Sequence, residues 1–86
     1  MWREGTVKAK LFVRENCPKC PAAKALTSRA ENVECYDVDN VDGLAEASFY
    51  GVMSTPSIVI VDDQDKEVIS WRGEVPSRED LAKWLH

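Results

Sequence analysis

Apolar residues fall into short blocks whose spacing assigns each a type of secondary structure. Val7 to Val13 alternates and then turns wholly apolar, which predicts a strand buried on both faces. Ala22, Ala23, Ala25 and Leu26 then predict a first helix that starts at Cys17 or Pro18 and runs to about Ala30, where Asn32 ends it. Proline suits the first helical position because it has no N–H to leave unpaired. Val33 to Val38 reads as a second strand. A short helix with Leu44, Ala45, Ala47, Ser48 and Phe49 follows, started by Asn40 or Asp42 and stopped before Gly51. Ser57 to Val61 is a continuous β-branched run and the third strand. Asp62-Asp63-Gln64-Asp65 forms a turn, and Lys66 to Trp71 returns as the fourth strand of a hairpin. Ser77 caps a last helix. Asp80 stands three residues on in a capping-box arrangement, and Leu81, Trp84 and Leu85 form the apolar face.

The resulting order, β-α-β-α-β-β-α, predicts an α/β fold. Strands one and two, joined through a helix, are expected to be parallel with a right-handed crossover. The hairpin adds antiparallel strands, so the sheet is mixed and four-stranded, with helices on both faces. No repeat, low-complexity tract or linker interrupts the chain, and one domain spanning residues 1–86 is expected.

Composition narrows the function classes. Hydrophobic residues at 44% and charged residues at 30% match a packed domain rather than a disordered chain. A net charge of −4 disfavours nucleic acid or an anionic membrane as partner. No apolar run approaches the ~20 residues that cross a bilayer. Met1-Trp2-Arg3-Glu4-Gly5 lacks the apolar core of a signal peptide, and three cysteines do not make a paired structural framework. The expectation is a cytoplasmic monomer.

Cys17-Pro18-Lys19-Cys20 carries the chemistry. Two cysteines with two residues between them can face each other across the first turn of a helix and form a reversible disulfide. At a helix N-terminus, unpaired N–H groups and the positive end of the dipole stabilise a Cys17 thiolate. Lys19 adds a positive charge, Pro18 limits backbone freedom, and the spacing keeps Cys20 in reach of Cys17. A structural zinc site needs four ligands, and the other candidates, Cys35 and His86, are far apart in sequence, so no metal is expected. Cys35 reads as a small buried hydrophobe. Trp71 and Trp84 read as partly buried packing residues, His86 as a frayed end or cloning remnant, and Asp62, Asp63 and Asp65 as a solvated turn rather than a calcium loop.

The Cys17–Cys20 motif after the first strand, Ser54-Thr55-Pro56 before the third and Gly73 after the fourth resemble the thioredoxin superfamily over nearly the whole chain. The length resembles the glutaredoxin branch, whereas Tyr50-Gly51-Val52-Met53-Ser54-Thr55-Pro56 is similar to thioredoxins proper. The resemblance implies a thioredoxin-like fold and a role for each matching residue. Cys17 matches the nucleophile and Cys20 the resolving thiol. Pro56 matches a cis-proline beside the disulfide, Thr55 the residue whose backbone pairs with the substrate chain, and Gly73 the glycine that keeps the nearby surface open. Pro18 and Lys19 complete the substrate-facing set.

Three departures mark this chain. Asn16 stands where a tryptophan precedes the motif, Leu11 stands where thioredoxins bury an aspartate, and Arg72-Gly73-Glu74 has one glycine where glutaredoxins have two. The implied function is reduction of protein disulfides by a dithiol mechanism, without a cofactor. A thioredoxin reductase-like donor would recharge it, and ribonucleotide reductase falls within the range of clients. A glutathione-dependent glutaredoxin and a non-catalytic binding module are the alternatives. Glutathione is expected to be a weak ligand and a poor reductant.

Overall fold

The computed structural model describes residues 7–28, 30 and 32–85. The expectations placed on Met1 to Gly5 and on His86 lie outside these residues. The elements are β1 (Lys8–Val13), α1 (Cys20–Thr27), β2 (Val33–Asp37), α2 (Val41–Phe49), β3 (Ser57–Val61), β4 (Glu67–Arg72) and α3 (Arg78–Ala82). They form one mixed sheet in the order β2-β1-β3-β4. β1 runs parallel to β2 and antiparallel to β3, and β4 completes the hairpin with β3. The expected α/β architecture is therefore observed.

The two inner strands carry the unbroken apolar runs, because helices cover both of their faces. Ala9, Leu11 and Val13 of β1 join Ile58 and Ile60 of β3 against α1 and α3. Their alternates Phe12, Val59 and Val61 pack toward α2 with Val38, Ala47 and Val52. β3 is buried at every position. α2 lies close enough to the sheet that a Cβ at Gly43 would overlap the Asp37 carbonyl, so this position tolerates only glycine without a backbone shift.

Local chemistry explains the boundaries. Helix α1 starts at Cys20, not at Cys17 or Pro18. The residues before it form a tight turn in which the Cys20 N–H donates to the Cys17 carbonyl at 3.3 Å. Pro21, not Pro18, occupies the first helical turn, where its missing N–H costs nothing. The helix ends at Thr27, short of Ala30. The Thr27 hydroxyl donates back to the Ala23 carbonyl at 3.1 Å and the Ser28 hydroxyl to that of Ala25 at 2.9 Å, satisfying the last turn. The Ser77 hydroxyl accepts the Asp80 N–H at 3.0 Å, as a cap should. Asp62 accepts the N–H groups of Gln64 and Lys66, each at 2.9 Å, and so closes the hairpin turn.

Two strand residues stand in notable environments, and one of them departs from expectation. Cys35 is exposed rather than buried. It pairs in register with the buried Leu11, but it lies one strand further out, on the sheet edge, where helical cover runs out. Lys10 is the opposite case, with a side chain only 7% exposed. Its ammonium donates to Glu46 Oε1 of α2 at 2.8 Å, lies 3.9 Å from Glu34 Oε1, and faces the rings of Tyr36 and Tyr50. Burial acts to lower its pKa, but the Glu46 hydrogen bond and the surrounding electron-rich groups outweigh it and raise the pKa above the ordinary lysine value. Next to it, burial and a hydrogen bond to Glu34 push the Tyr36 hydroxyl up to about 12.

This ion pair fastens α2 to β1, and its two ends are unequal. Removing Glu46 leaves a buried cation with only the more distant Glu34 carboxylate at 3.9 Å, whereas removing Lys10 leaves a carboxylate that is 35% exposed and can rehydrate. Urea denaturation should therefore show Glu46→Leu losing about 3 kcal/mol and Lys10→Met about 1 kcal/mol. Equal losses would mean that the burial of Lys10 carries no electrostatic weight.

Candidate active site

Parallel and antiparallel pairing on either side of β1 bring the chemistry together. Phe12 pairs with Ser57, so the end of β1 that leads to Cys17 lies beside the start of β3 that follows Pro56. Cys17 and Cys20 form a disulfide with a Cα–Cα separation of 5.3 Å. Cys17 and Cys20 are both buried, Cys17 at 9% exposure somewhat less so than Cys20 at 3%. Pro18 and Lys19, between them, are exposed.

The Thr55–Pro56 bond is cis. Thr55 is half-buried and Pro56 fully buried. A hydrogen-bonded brace fixes this loop. The buried Ser57 hydroxyl donates to the Ser54 carbonyl at 2.8 Å. The Gly73 N–H donates to the Pro56 carbonyl at 2.9 Å and also approaches the Ser57 hydroxyl at 3.3 Å. Gly73 has φ +74°, and a Cβ there would sit 3.0 Å from the Ser54 hydroxyl. It thus serves the loop from behind through both conformation and proximity. Ser57, read from the sequence only as a strand residue, is a member of this brace. Its signal was a polar group inside an otherwise apolar run.

Two clefts share Arg14, and one of them is lined by both cysteines. One, of about 450 Å³, runs between α2 and the proline loop and includes Leu44, Val52, Met53 and Thr55. Met53 is 97% exposed and Leu44 56% exposed, so this wall offers apolar surface directly beside the Thr55 backbone. The other, of about 400 Å³, lies on the β2 side and brings Glu15, Lys24 and Asp37 to Cys17 and Cys20. Arg14 borders both clefts and is held by Asp39 at 3.5 Å. None of these charged residues was singled out from the sequence, because only the strand pairing shows that the ends of β1 and β2 meet at the motif. Among the described residues, no group of three or more His, Cys, Asp or Glu side chains could hold a metal ion. No described helix is long and apolar enough to cross a membrane.

A pair of cysteines at disulfide distance can accept or give two electrons as one disulfide. The brace should be sensitive to side chains at its glycine. Gly73→Ala carries the cost of positive φ and the contact with Ser54, whereas Gly51→Ala, at φ +68° in open space, carries the first alone. Thermal or urea unfolding should show a loss of about 1 kcal/mol for Gly51→Ala and about twice that for Gly73→Ala. Equal losses would remove the Ser54 contact from the account.

A family model described as a thioredoxin domain matches residues 7–86. A thioredoxin from Methanocaldococcus jannaschii is 37% identical over 62 residues, which cover 66% of this chain and 73% of that protein. Among solved structures, a thioredoxin from Thermus thermophilus superposes with a TM-score of 0.68 at 24% identity, covering 92% of this chain and 70% of its own. A thioredoxin-fold protein from Helicobacter pylori gives a TM-score of 0.73 at 18% identity, with 98% and 70% covered. These two likenesses show a shared fold. With the family match extending from β1 through α3, the chain belongs to the thioredoxin domain family.

Proposed function

We propose that this protein reduces disulfides in other proteins through a Cys17–Cys20 dithiol, with Cys17 as nucleophile and Cys20 as resolving thiol. Membership of the thioredoxin family and the vicinal cysteine pair support thiol–disulfide exchange in general. One observation favours the assignment of roles: Cys17 is the more exposed residue of the pair and Cys20 the more enclosed. An incoming disulfide meets Cys17 first, and the mixed disulfide then leaves Cys20 within reach beneath it. The client chain would lie along the Thr55 backbone, with Pro18, Lys19, Pro56 and Gly73 completing the surface and Leu44 and Met53 supplying an apolar wall. Ribonucleotide reductase would be one client of this kind. The working state is a monomer in the cytoplasm.

The electron donor would be a thioredoxin reductase-like dithiol protein rather than glutathione. A tight glutathione site needs cations free to meet its carboxylates. Arg72, the nearest arginine to the proline-loop brace in sequence, is engaged instead: it donates to Glu67 at 2.8 Å and to Ser70 at 3.1 Å. Glu74 adds a negative charge next to Gly73, the one glycine in that loop. Each polar group left unpaired in a converging site costs ~1–3 kcal/mol, enough to lose one or two decades of affinity.

Insulin reduction driven by NADPH with thioredoxin reductase should proceed, while glutathione with its own reductase should support it at least ~10-fold more slowly. Calorimetry of a cysteine-blocked protein with reduced glutathione should find no micromolar binding, and a micromolar Kd would place the protein with the glutaredoxins in function. Cys17→Ser should abolish turnover. Cys20→Ser should accumulate a mixed disulfide with the client, visible by mass spectrometry, because the intermediate has lost its intramolecular exit. Wild-type turnover by the Cys17→Ser protein would refute the mechanism.

A further inference from the structure

Resolution of a mixed disulfide requires Cys20 to lose its proton, because the thiolate is the attacking species. Cys20 is 3% exposed, so its proton does not pass freely to bulk water. Below it, β1 presents Leu11, 2% exposed and in the same core cluster as both sulfurs. The residues of β3, β4, α3 and the turn after α3 in or against that cluster include Ile58, Ile60, Ile69, Trp71, Leu81 and Leu85, none of which can take a proton. The charged and titratable groups on this side are those of the β2-side cleft: Arg14, Glu15, Lys24 and Asp37.

These four are not equivalent. Arginine and lysine are already protonated at neutral pH and cannot serve as acceptors. Glu15 lies exposed in the turn before Cys17, and no hydrogen bond among the described residues fixes its carboxylate. Asp37 is held on both counts. It ends β2 in register with Val13, so its side chain emerges on the face that Val13 shares with α1 and the two sulfurs. One of its oxygens, Oδ1, accepts the Asp39 N–H at 2.9 Å, which orients the carboxylate. Lys24, one helical turn beyond Cys20, supplies positive charge to the same cleft.

We propose that Asp37 is the proton acceptor for Cys20 in the resolving step. The inference rests on the dithiol reading given above. The Cys20 thiol proton passes to the Asp37 carboxylate, directly or through one water in the cleft. The freed electron pair forms the Cys20–Cys17 bond while the bond between Cys17 and the client sulfur breaks. The client sulfur leaves with that pair as a thiolate and is then protonated by solvent. The dithiol is oxidised to a disulfide, and the client disulfide is reduced by two electrons. In this chain the acceptor stands on the strand beside the one that leads into the motif, which leaves the position beneath the sulfurs free for Leu11.

The test isolates this step. In a Cys35→Ser background, the reduced protein is mixed with one equivalent of 5,5′-dithiobis(2-nitrobenzoate), and thionitrobenzoate release is followed by stopped flow across pH. The first release reports attack by Cys17, and the second reports attack by Cys20. Asp37→Asn should leave the first phase unchanged and slow the second about 10²-fold near pH 6. The deficit should shrink as pH rises and a growing share of the thiol ionises unaided. Asn keeps an oxygen for the Asp39 N–H, Asp37→Glu should retain most of the rate, and Glu15→Gln should leave the profile unchanged. A wild-type profile for Asp37→Asn, a shift produced by Glu15→Gln instead, or equal slowing of both phases would overturn the assignment while leaving the dithiol reading intact. Release of a single equivalent by the parent protein would refute both.

Discussion

The antiparallel register of β1 against β3 is the constraint from which the site follows. Both strands are buried on two faces, so neither can slide by one residue without moving every apolar side chain to the wrong layer. The pairing of Phe12 with Ser57 fixes how far each strand reaches. The loop leaving β1 therefore delivers Cys17 at the level where the chain enters β3 through Thr55 and Pro56. Distances between the sulfurs and the proline loop are consequences of core packing, not of contacts within the site itself. The same register places Lys10 opposite Val59 on the α2 face, where its ion pair with Glu46 fixes the helix that forms the far wall of the apolar cleft.

Features set by neighbours in sequence could be read from sequence. The β-branched run of β3, the Ser77 cap and the Asp62 turn each depend on a few consecutive residues, and the structure shows them where they were expected. The fold class followed from their order. The start of α1 was misplaced because two prolines offered two starting points, and Pro21 rather than Pro18 entered the helix. That shift leaves Cys17 ahead of the helix, in a turn whose carbonyl receives the Cys20 N–H.

What sequence could not show depends on which strands became neighbours. Nothing in the sequence pairs Lys10 with Glu46, because only the packing of helix α2 on that face of β1 brings the two together. Cys35 occupies an inward parity yet is exposed, because its strand forms the sheet edge. Asp37 was simply a strand residue until the parallel pairing with Val13 set it beside the sulfurs. Gly43 gave no sign of its role, since only the approach of α2 to the Asp37 carbonyl shows why a side chain is excluded there.

The hairpin edge has a consequence of a different kind. Among the described residues nothing pairs with the outer side of β4, and Val68 is exposed on that strand. An uncovered strand with apolar surface invites the same strand of another molecule to add to it. Here the strand is short and bracketed by Glu67 and Arg72, whose side chains meet at 2.8 Å across its length. A second β4 laid alongside would have to desolvate these charges or break their pairing. The ion pair thus acts between molecules as much as within one. Charged ends of this kind are a known way of blunting an exposed strand edge.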